Sequence, residues 1–220
     1  MIAGASAACG RMGSFPACGG ERVGRFFPLP DTKVLGIKPD MTVSGEGRMN
    51  IYDPVFSSSQ IAHAAGMTAT NFRAHLSRGN WRIIGEAQPA EVFGKGHLFT
   101  IYDAVGFALA HQLVARGVEP KLAFELAMFD FAHIAAGPLP GTELTRQPGG
   151  VFNLKQGYTL YVYCPGAKRG QCIATADIQD AVELIITPEG GIASSAIIIN
   201  LNELRSRVFN ALGLDERDYD

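Results

Sequence analysis

The chemistry most clearly indicated by the sequence is polyanion binding through a run of basic side chains without a neighbouring acid. Residues 54–85 contain no Asp or Glu, although the chain carries 21 acidic residues against 19 Lys and Arg. That segment holds these basic or titratable residues: His63, Arg73, His75, Arg78 and Arg82. Phosphates attract such side chains and repel carboxylates, so the pattern indicates a local phosphate-binding surface. The formal net charge of −2 excludes a generally basic nucleic-acid coat.

Two short helices around a tight turn must position these side chains. Ser57 and Gln60 have the spacing of a capping box, and Gly66 is a typical helix stop. Thr68 can cap a second helix whose inner face carries Phe72 and Leu76, four residues apart. This orientation leaves several side chains on or beside the outer face, namely Thr70, Asn71, Arg73, His75 and Arg78.

A small hairpin and two further helices are predicted next. Residues 82–84 and 97–99 are expected to pair as strands, joined by a long loop that carries Lys95 between two glycines. Thr100 and Asp103 can cap a third helix, and Pro120 suits the first turn of a fourth. A B-DNA major groove is about 12 Å wide and admits one helix. The second helix is therefore expected to enter the groove, with the hairpin lying against the backbone.

The run from Ser58 to Gly117 resembles the winged helix-turn-helix domain of MerR-type transcriptional regulators. The likeness is carried by SQIAHAAGMTATNFRAHLSRGNW, GHLFTIYDAV and ALAHQLVARGVEP. In that family a Ser or Thr cap opens the second helix, which contains a Leu/Ile-Arg pair; Thr68 and Phe72-Arg73 occupy those places here. The resemblance implies sequence-specific binding of double-stranded DNA and transcriptional regulation.

Two departures from the MerR pattern bear on what the resemblance implies. His97-Leu98-Phe99 stands where the family's wing closes on an Arg-x-Tyr run. After Ala136 the chain continues into a Gly- and Pro-rich linker instead of the family's long dimerisation helix. These departures put promoter twisting and metal or drug sensing in doubt. The chain looks more like MerR-like proteins of prophages and mobile elements.

The expected DNA contacts follow from position on the second helix and the hairpin. Thr70 and Asn71 lie at the helix start, where base edges are approached, and Arg73 is expected to reach a base edge or a phosphate. His75 and Arg78 are expected to touch phosphates, and Arg82 and Lys95 to do so from the wing. The alternatives are solvated side chains, or for Arg78 an ion pair within the domain.

The predicted fold class is α+β, with a mostly helical winged helix-turn-helix domain followed by a small mixed α/β domain. Residues 1–48 are expected to be disordered, or an over-extended start preceding Met49. The DNA-binding domain spans residues 49–136, a linker spans 137–150, and a dimerisation or sensing domain spans 151–220. A homodimer is expected, because one such domain reads only one half-site.

Other function classes find less support in the sequence. No GxSxG, HExxH or GxxxxGK[ST] motif occurs, and the histidines and four cysteines show no ligand spacing, so we expect neither an enzyme nor a metal or other cofactor. No secretion signal or membrane span is visible, and reduced thiols in a cytoplasm are expected. One alternative is a phage DNA-packaging or recombination accessory protein, like a small terminase or an excisionase. Another is a protein-interaction module, which the six basic and seven acidic residues of segment 49–136 would suit.

Overall fold

The protein is a mixed α+β structure in which short helices surround an aromatic core. The computed structural model describes residues 52–84, 96–135, 145–153, 155, 157–175 and 195–216. In chain order the strands are β1 (Phe56–Ser57), β2 (Leu98–Phe99), β3 (Thr159–Tyr163), β4 (Gln171–Ala174) and β5 (Ile197–Asn200). The helices are α1 (Ser58–Ala64), α2 (Ala69–Ser77), α3 (Ile101–Val114), α4 (Pro120–Ala127), a π-helical turn (Met128–Ala132) and α5 (Leu201–Leu212).

The helix starts are set by local side-chain caps, as the sequence predicts. The Ser57 hydroxyl accepts a hydrogen bond from the Gln60 N–H, and the Gln60 side chain accepts from the Ser57 N–H at 2.9 Å. Thr68 accepts from the Asn71 N–H at 3.2 Å. Thr100 and Asp103 form the same reciprocal box at α3. Each cap satisfies amide groups that a helix start leaves free, and it fixes where the helix begins.

The turn between α1 and α2 holds the two helices in a fixed relation. Gly66 has φ +78°, a left-handed conformation that glycine adopts without the steric cost of a Cβ. The N–H of Met67 donates to the Ala62 carbonyl at 2.9 Å, which closes the end of α1. One residue later, Thr68 starts α2.

The predicted strand pairing between residues 82–84 and 97–99 is wrong. Leu98–Phe99 pairs instead with Phe56–Ser57, in an antiparallel register that sets Phe56 opposite Phe99. The Val55 N–H adds a hydrogen bond to the Phe99 carbonyl at 3.1 Å, while residues 82–84 form no strand. Both phenylalanines are buried, so this pairing adds two aromatic side chains to the core.

One hydrophobic core joins the segments assigned to two domains by the sequence. Helix α5 packs against α1 and α3, and its Leu204 and Val208 are buried in the same cluster as Phe72 and Phe107. Tyr161 of β3 also belongs to that cluster. Truncation at the linker would therefore expose apolar surface on both sides.

The second sheet has the strand order β4-β3-β5, with both pairs antiparallel. All three strands lie within segment 151–220, for which the sequence predicts a small mixed α/β domain. Within the described ranges no helix combines the length and apolar character needed to cross a lipid bilayer.

Candidate nucleic-acid interface

The inner face of helix α2 packs against an aromatic cluster centred on Phe72. This ring is fully buried and lies edge-on to Phe107 at 4.8 Å between centroids, with Trp81 and Phe99 at 5.9 and 5.8 Å. The Trp81 Nε1–H donates to the Pro120 carbonyl at 3.1 Å, which anchors the segment after α2 to the start of α4. The inner face of α2 is therefore fixed, and the outer face is presented rigidly.

The outer face of α2 is open to solvent. Thr70, Asn71, Arg73 and Arg78 are all exposed. Arg73 and Arg78 form no ion pair with any acid among the described residues, so the intradomain salt bridge weighed for Arg78 is not formed there. Both arginines are therefore free to meet an anion without first breaking a partner.

Helical geometry places these two arginines on either side of a strip of small residues. At 100° per residue, Thr70, Ala74 and Ser77 lie opposite Phe72 and form the centre of the outer face. Arg73 falls about 100° to one side of Phe72 and Arg78 about 120° to the other. A strip of short side chains flanked by cations suits entry into a groove lined by phosphates on both walls.

His75 lies at the edge of this surface and is partly a packing residue. Its ring stacks on Trp81 with centroids 4.3 Å apart and planes 13° apart. Its Nδ1 lies 3.5 Å from the Asn80 side-chain nitrogen. Burial lowers the pKa of His75, and the nearby Arg78 and His111 lower it further. We therefore expect a neutral ring at pH 7 in the free protein.

The structure places only one of the two residues predicted for the wing. Arg82 is exposed, and its guanidinium lies 5.7 Å from the centre of the Phe129 ring in the π-helical turn. This contact directs Arg82 towards the π-helical turn. Lys95 lies outside the described residues, so the structure neither places it nor joins it to the α2 surface.

No known family model matches this chain, and neither does any curated protein or any solved structure. The interpretation of α2 therefore depends on its own geometry and charge.

A buried polar cluster that sequence reasoning missed lies around the π-helical turn. Arg146 is 5% exposed, and its two terminal nitrogens donate to four backbone carbonyls. The acceptors are Phe131 at 3.1 Å, Ile134 at 2.9 Å, Gln147 at 3.3 Å and Asp130 at 2.8 Å. Carbonyls at a helix end lack partners within the helix, so Arg146 takes the place of a C-terminal cap.

The Asp130 carboxylate joins the same turn to the β3–β4 hairpin. It accepts from the Gly170 N–H at 2.8 Å and the Tyr161 hydroxyl at 3.2 Å, and it pairs with Arg169 at 2.9 Å. Burial raises the pKa of Asp130, although these donors oppose the shift. Burial also raises the pKa of the Cys172 thiol to about 11, so this sulfur is a poor nucleophile at neutral pH. The cluster therefore connects the π-helical turn to the β3–β4 hairpin.

Cys172 is a free thiol. Among the described residues, no group of three or more His, Cys, Asp and Glu side chains could hold a metal ion.

Lowering the pH should destabilise the fold through His75 and His111. Burial is the main cause that lowers the pKa of each below the ordinary 6.5, and Arg207 lowers that of His111 further. The unfolded chain therefore binds protons first as the pH falls through about 6.5, so the free energy of unfolding decreases below that pH. Thermal unfolding between pH 7.5 and 5.5 measures this. A His75→Gln/His111→Gln variant should lose less stability than the wild type over that interval, and an equal loss would refute the assignment.

Proposed function

We propose that this protein binds double-stranded DNA through the outer face of α2 and acts as a transcriptional regulator of the winged helix-turn-helix, MerR-like type. The observation that carries the proposal is an exposed helix face on which two arginines, without an ion pair to any described acid, lie on either side of small side chains. The fixed turn at Gly66 and the aromatic anchor at Phe72 support it, because they make that face rigid.

In this proposal α2 lies in the major groove. Thr70 and Asn71, in the first turn of the helix, approach base edges, and Asn71 can pair with the edge of an adenine. Arg73 reaches a guanine edge or a phosphate, and Arg78 binds the backbone on the other side. His75 remains stacked on Trp81 and supports the surface from its edge.

Specific recognition by this surface requires two copies. A single domain of this size buries only a modest area on DNA, and a homodimer reading two half-sites one helical turn apart would supply the affinity of a regulator. Sedimentation of the protein with and without DNA measures the stoichiometry.

Substitution of Arg73 provides the mutational test. Selection of bound duplexes from a random library should yield an enriched sequence, and Arg73→Ala should weaken binding to it by about 1–3 kcal/mol. Fluorescence anisotropy over a salt series measures the affinity, which should fall steeply with added salt. Lys168→Ala is the matched control, because Lys168 is an exposed cation in the β3–β4 connection.

Two results would contradict the proposal. One is affinity that does not change with salt, and the other is full affinity in the Arg73→Ala protein. A failure to bind any duplex at low salt would favour a protein-interaction module.

A further inference from the structure

The imidazole ring of His75 is held flat against Trp81 at the end of α2. The chain turns at Gly79, which has φ +70°, and the N–H groups of Asn80 and Trp81 both donate to the His75 carbonyl, at 3.1 and 3.2 Å. This turn brings the two rings together, with centroids 4.3 Å apart and planes 13° apart. Trp81 is itself buried and anchored to the Pro120 carbonyl at 3.1 Å, so the position of His75 is fixed by packing.

His75 lies on the same flank of α2 as Arg78. At 100° per residue it falls about 60° from Arg78, on the side away from the small residues of the outer face. Side chains three residues apart on a helix are neighbours, so the two groups can reach the same stretch of DNA backbone. The ring is half-buried and therefore keeps one part open to solvent. A phosphate bound by Arg78 thus comes close to His75 in the proposed complex.

The surroundings of His75 contain cations but no acid that pairs with it. Burial lowers its pKa most, and Arg78 on α2 and His111 on α3 lower it further. Towards α4, the Glu119 carboxylate is occupied as a cap and accepts from two N–H groups of that helix. Within the described part of the chain no ion pair includes His75. A proton on this ring therefore lacks a counter-charge in the free protein, and a DNA phosphate would supply one.

We propose that His75 takes up a proton when DNA binds to α2, and that the resulting imidazolium binds a backbone phosphate beside Arg78. This inference rests on the proposed function of α2. The proton comes from solvent and adds to the ring nitrogen that lacks one in the neutral form. DNA affinity therefore responds to pH through a residue of the interface itself.

The neighbours of the ring suit a bound imidazolium. A phosphate diester stays ionised near neutral pH and offsets the repulsion between the imidazolium and Arg78. The face of the Trp81 indole attracts a cation stacked on it. The side-chain nitrogen of Asn80 lies 3.5 Å from Nδ1, and rotation of this amide would present its oxygen to a protonated ring.

The direction of the pH effect follows from the proton count. The complex holds one more proton than the free protein, so affinity rises as the pH falls, by at most about tenfold per pH unit. We expect a gain of about 3- to 10-fold between pH 8 and pH 6. Because the contact is with a phosphate, the gain should be equal on the selected duplex and on an unrelated duplex of the same length. The slope of log K against log salt should steepen over the same interval by up to about 0.9.

The experiment measures anisotropy on both duplexes at pH 8 and pH 6 for the wild type and three variants. His75→Phe keeps an aromatic ring on Trp81 and removes the titration, so its affinity should not change with pH. His75→Arg carries a permanent cation that can stack on the indole, and at pH 8 it should bind about as tightly as the wild type does at pH 6. His63→Gln is the matched control, because His63 is the other histidine of the acid-free segment 54–85 and is exposed on α1. This control should keep the full pH response.

A second measurement needs no variant. An NMR titration of the His75 ring protons in the free protein and in the complex reports its pKa directly. The pKa should be higher in the complex, and an unchanged value would refute the proton uptake. Circular dichroism at both pH values checks that each variant is folded.

The outcomes separate this inference from the function on which it rests. If the wild type binds and Arg73→Ala weakens binding, while the pH response is absent or survives in His75→Phe, the proton-linked contact is refuted and the α2 interface stands. If the wild type binds neither duplex at low salt, both proposals fail together.

Discussion

The Phe72→Ala substitution should lower the free energy of unfolding by about 3–5 kcal/mol, the range typical for truncating a buried aromatic side chain. Phe72 is fully buried and contacts three other rings, those of Trp81, Phe99 and Phe107. Its loss removes apolar surface from the core and leaves a cavity that these rigid rings fill poorly. Urea unfolding followed by Trp81 fluorescence measures the change.

The adjacent residue provides the control for this prediction. Arg73→Ala changes an exposed side chain on the same helix and should alter the free energy of unfolding by no more than about 0.5 kcal/mol. The two substitutions should thus have different effects: Phe72→Ala should lower stability, and Arg73→Ala should lower DNA affinity. Comparable destabilisation by both substitutions would mean that Arg73 contributes to the packing of the fold and that the outer face of α2 is not free to bind DNA.

The Arg146→Met substitution should lower the free energy of unfolding by about 3 kcal/mol or more. Methionine keeps much of the apolar stem but removes the donors to the carbonyls of Asp130, Phe131, Ile134 and Gln147. The Phe131 and Gln147 carbonyls keep the N–H groups of Gly149 and Gly150 as donors. The cost therefore falls on the carbonyls of Asp130 and Ile134, at about 1–3 kcal/mol for each buried acceptor that loses its donor. The same urea titration measures the change.

A second arginine of the same cluster serves as control for Arg146. Arg169 is 63% exposed and pairs with Asp130, which keeps the Gly170 N–H and the Tyr161 hydroxyl as donors. Arg169→Met should therefore cost at most about 1 kcal/mol. Equal effects of Arg146→Met and Arg169→Met would show that the carbonyl contacts of Arg146 contribute little.

Local features of the fold were predictable because they depend on residues close in sequence. The capping residues Ser57, Thr68 and Thr100 and the burial of Phe72 follow from spacing alone, and the structure confirms each. Gly213 ends α5 in a left-handed conformation, which is typical of glycine at a helix end. Such signals act within one helical turn, so distant contacts do not override them.

The features that sequence reasoning missed depend on contacts distant along the chain. The sequence does not determine that Phe99 pairs with Phe56 instead of the nearer residues 82–84, because short strands carry little register information. The burial of Arg146 could not be predicted from the sequence either, since its acceptors include carbonyls up to 16 residues away. A lone arginine within a Gly- and Pro-rich linker was the available signal.

The candidate interface was predictable where it depends on residues close in sequence. Helical periodicity correctly placed Thr70, Asn71, Arg73 and Arg78 on an exposed face. It could not show that His75 stacks on Trp81, because the two rings meet only after the chain turns at Gly79.

The most direct test of the central claim measures how DNA affinity depends on salt for the wild type and for an Arg73→Gln/Arg78→Gln variant. The two substitutions leave the core untouched and remove both cations from the outer face of α2. We expect the slope of log K against log salt to fall by about 1.8 in magnitude, with clearly weaker binding below 0.2 M salt. Identical affinities and slopes for the two proteins would contradict the claim that this face binds DNA.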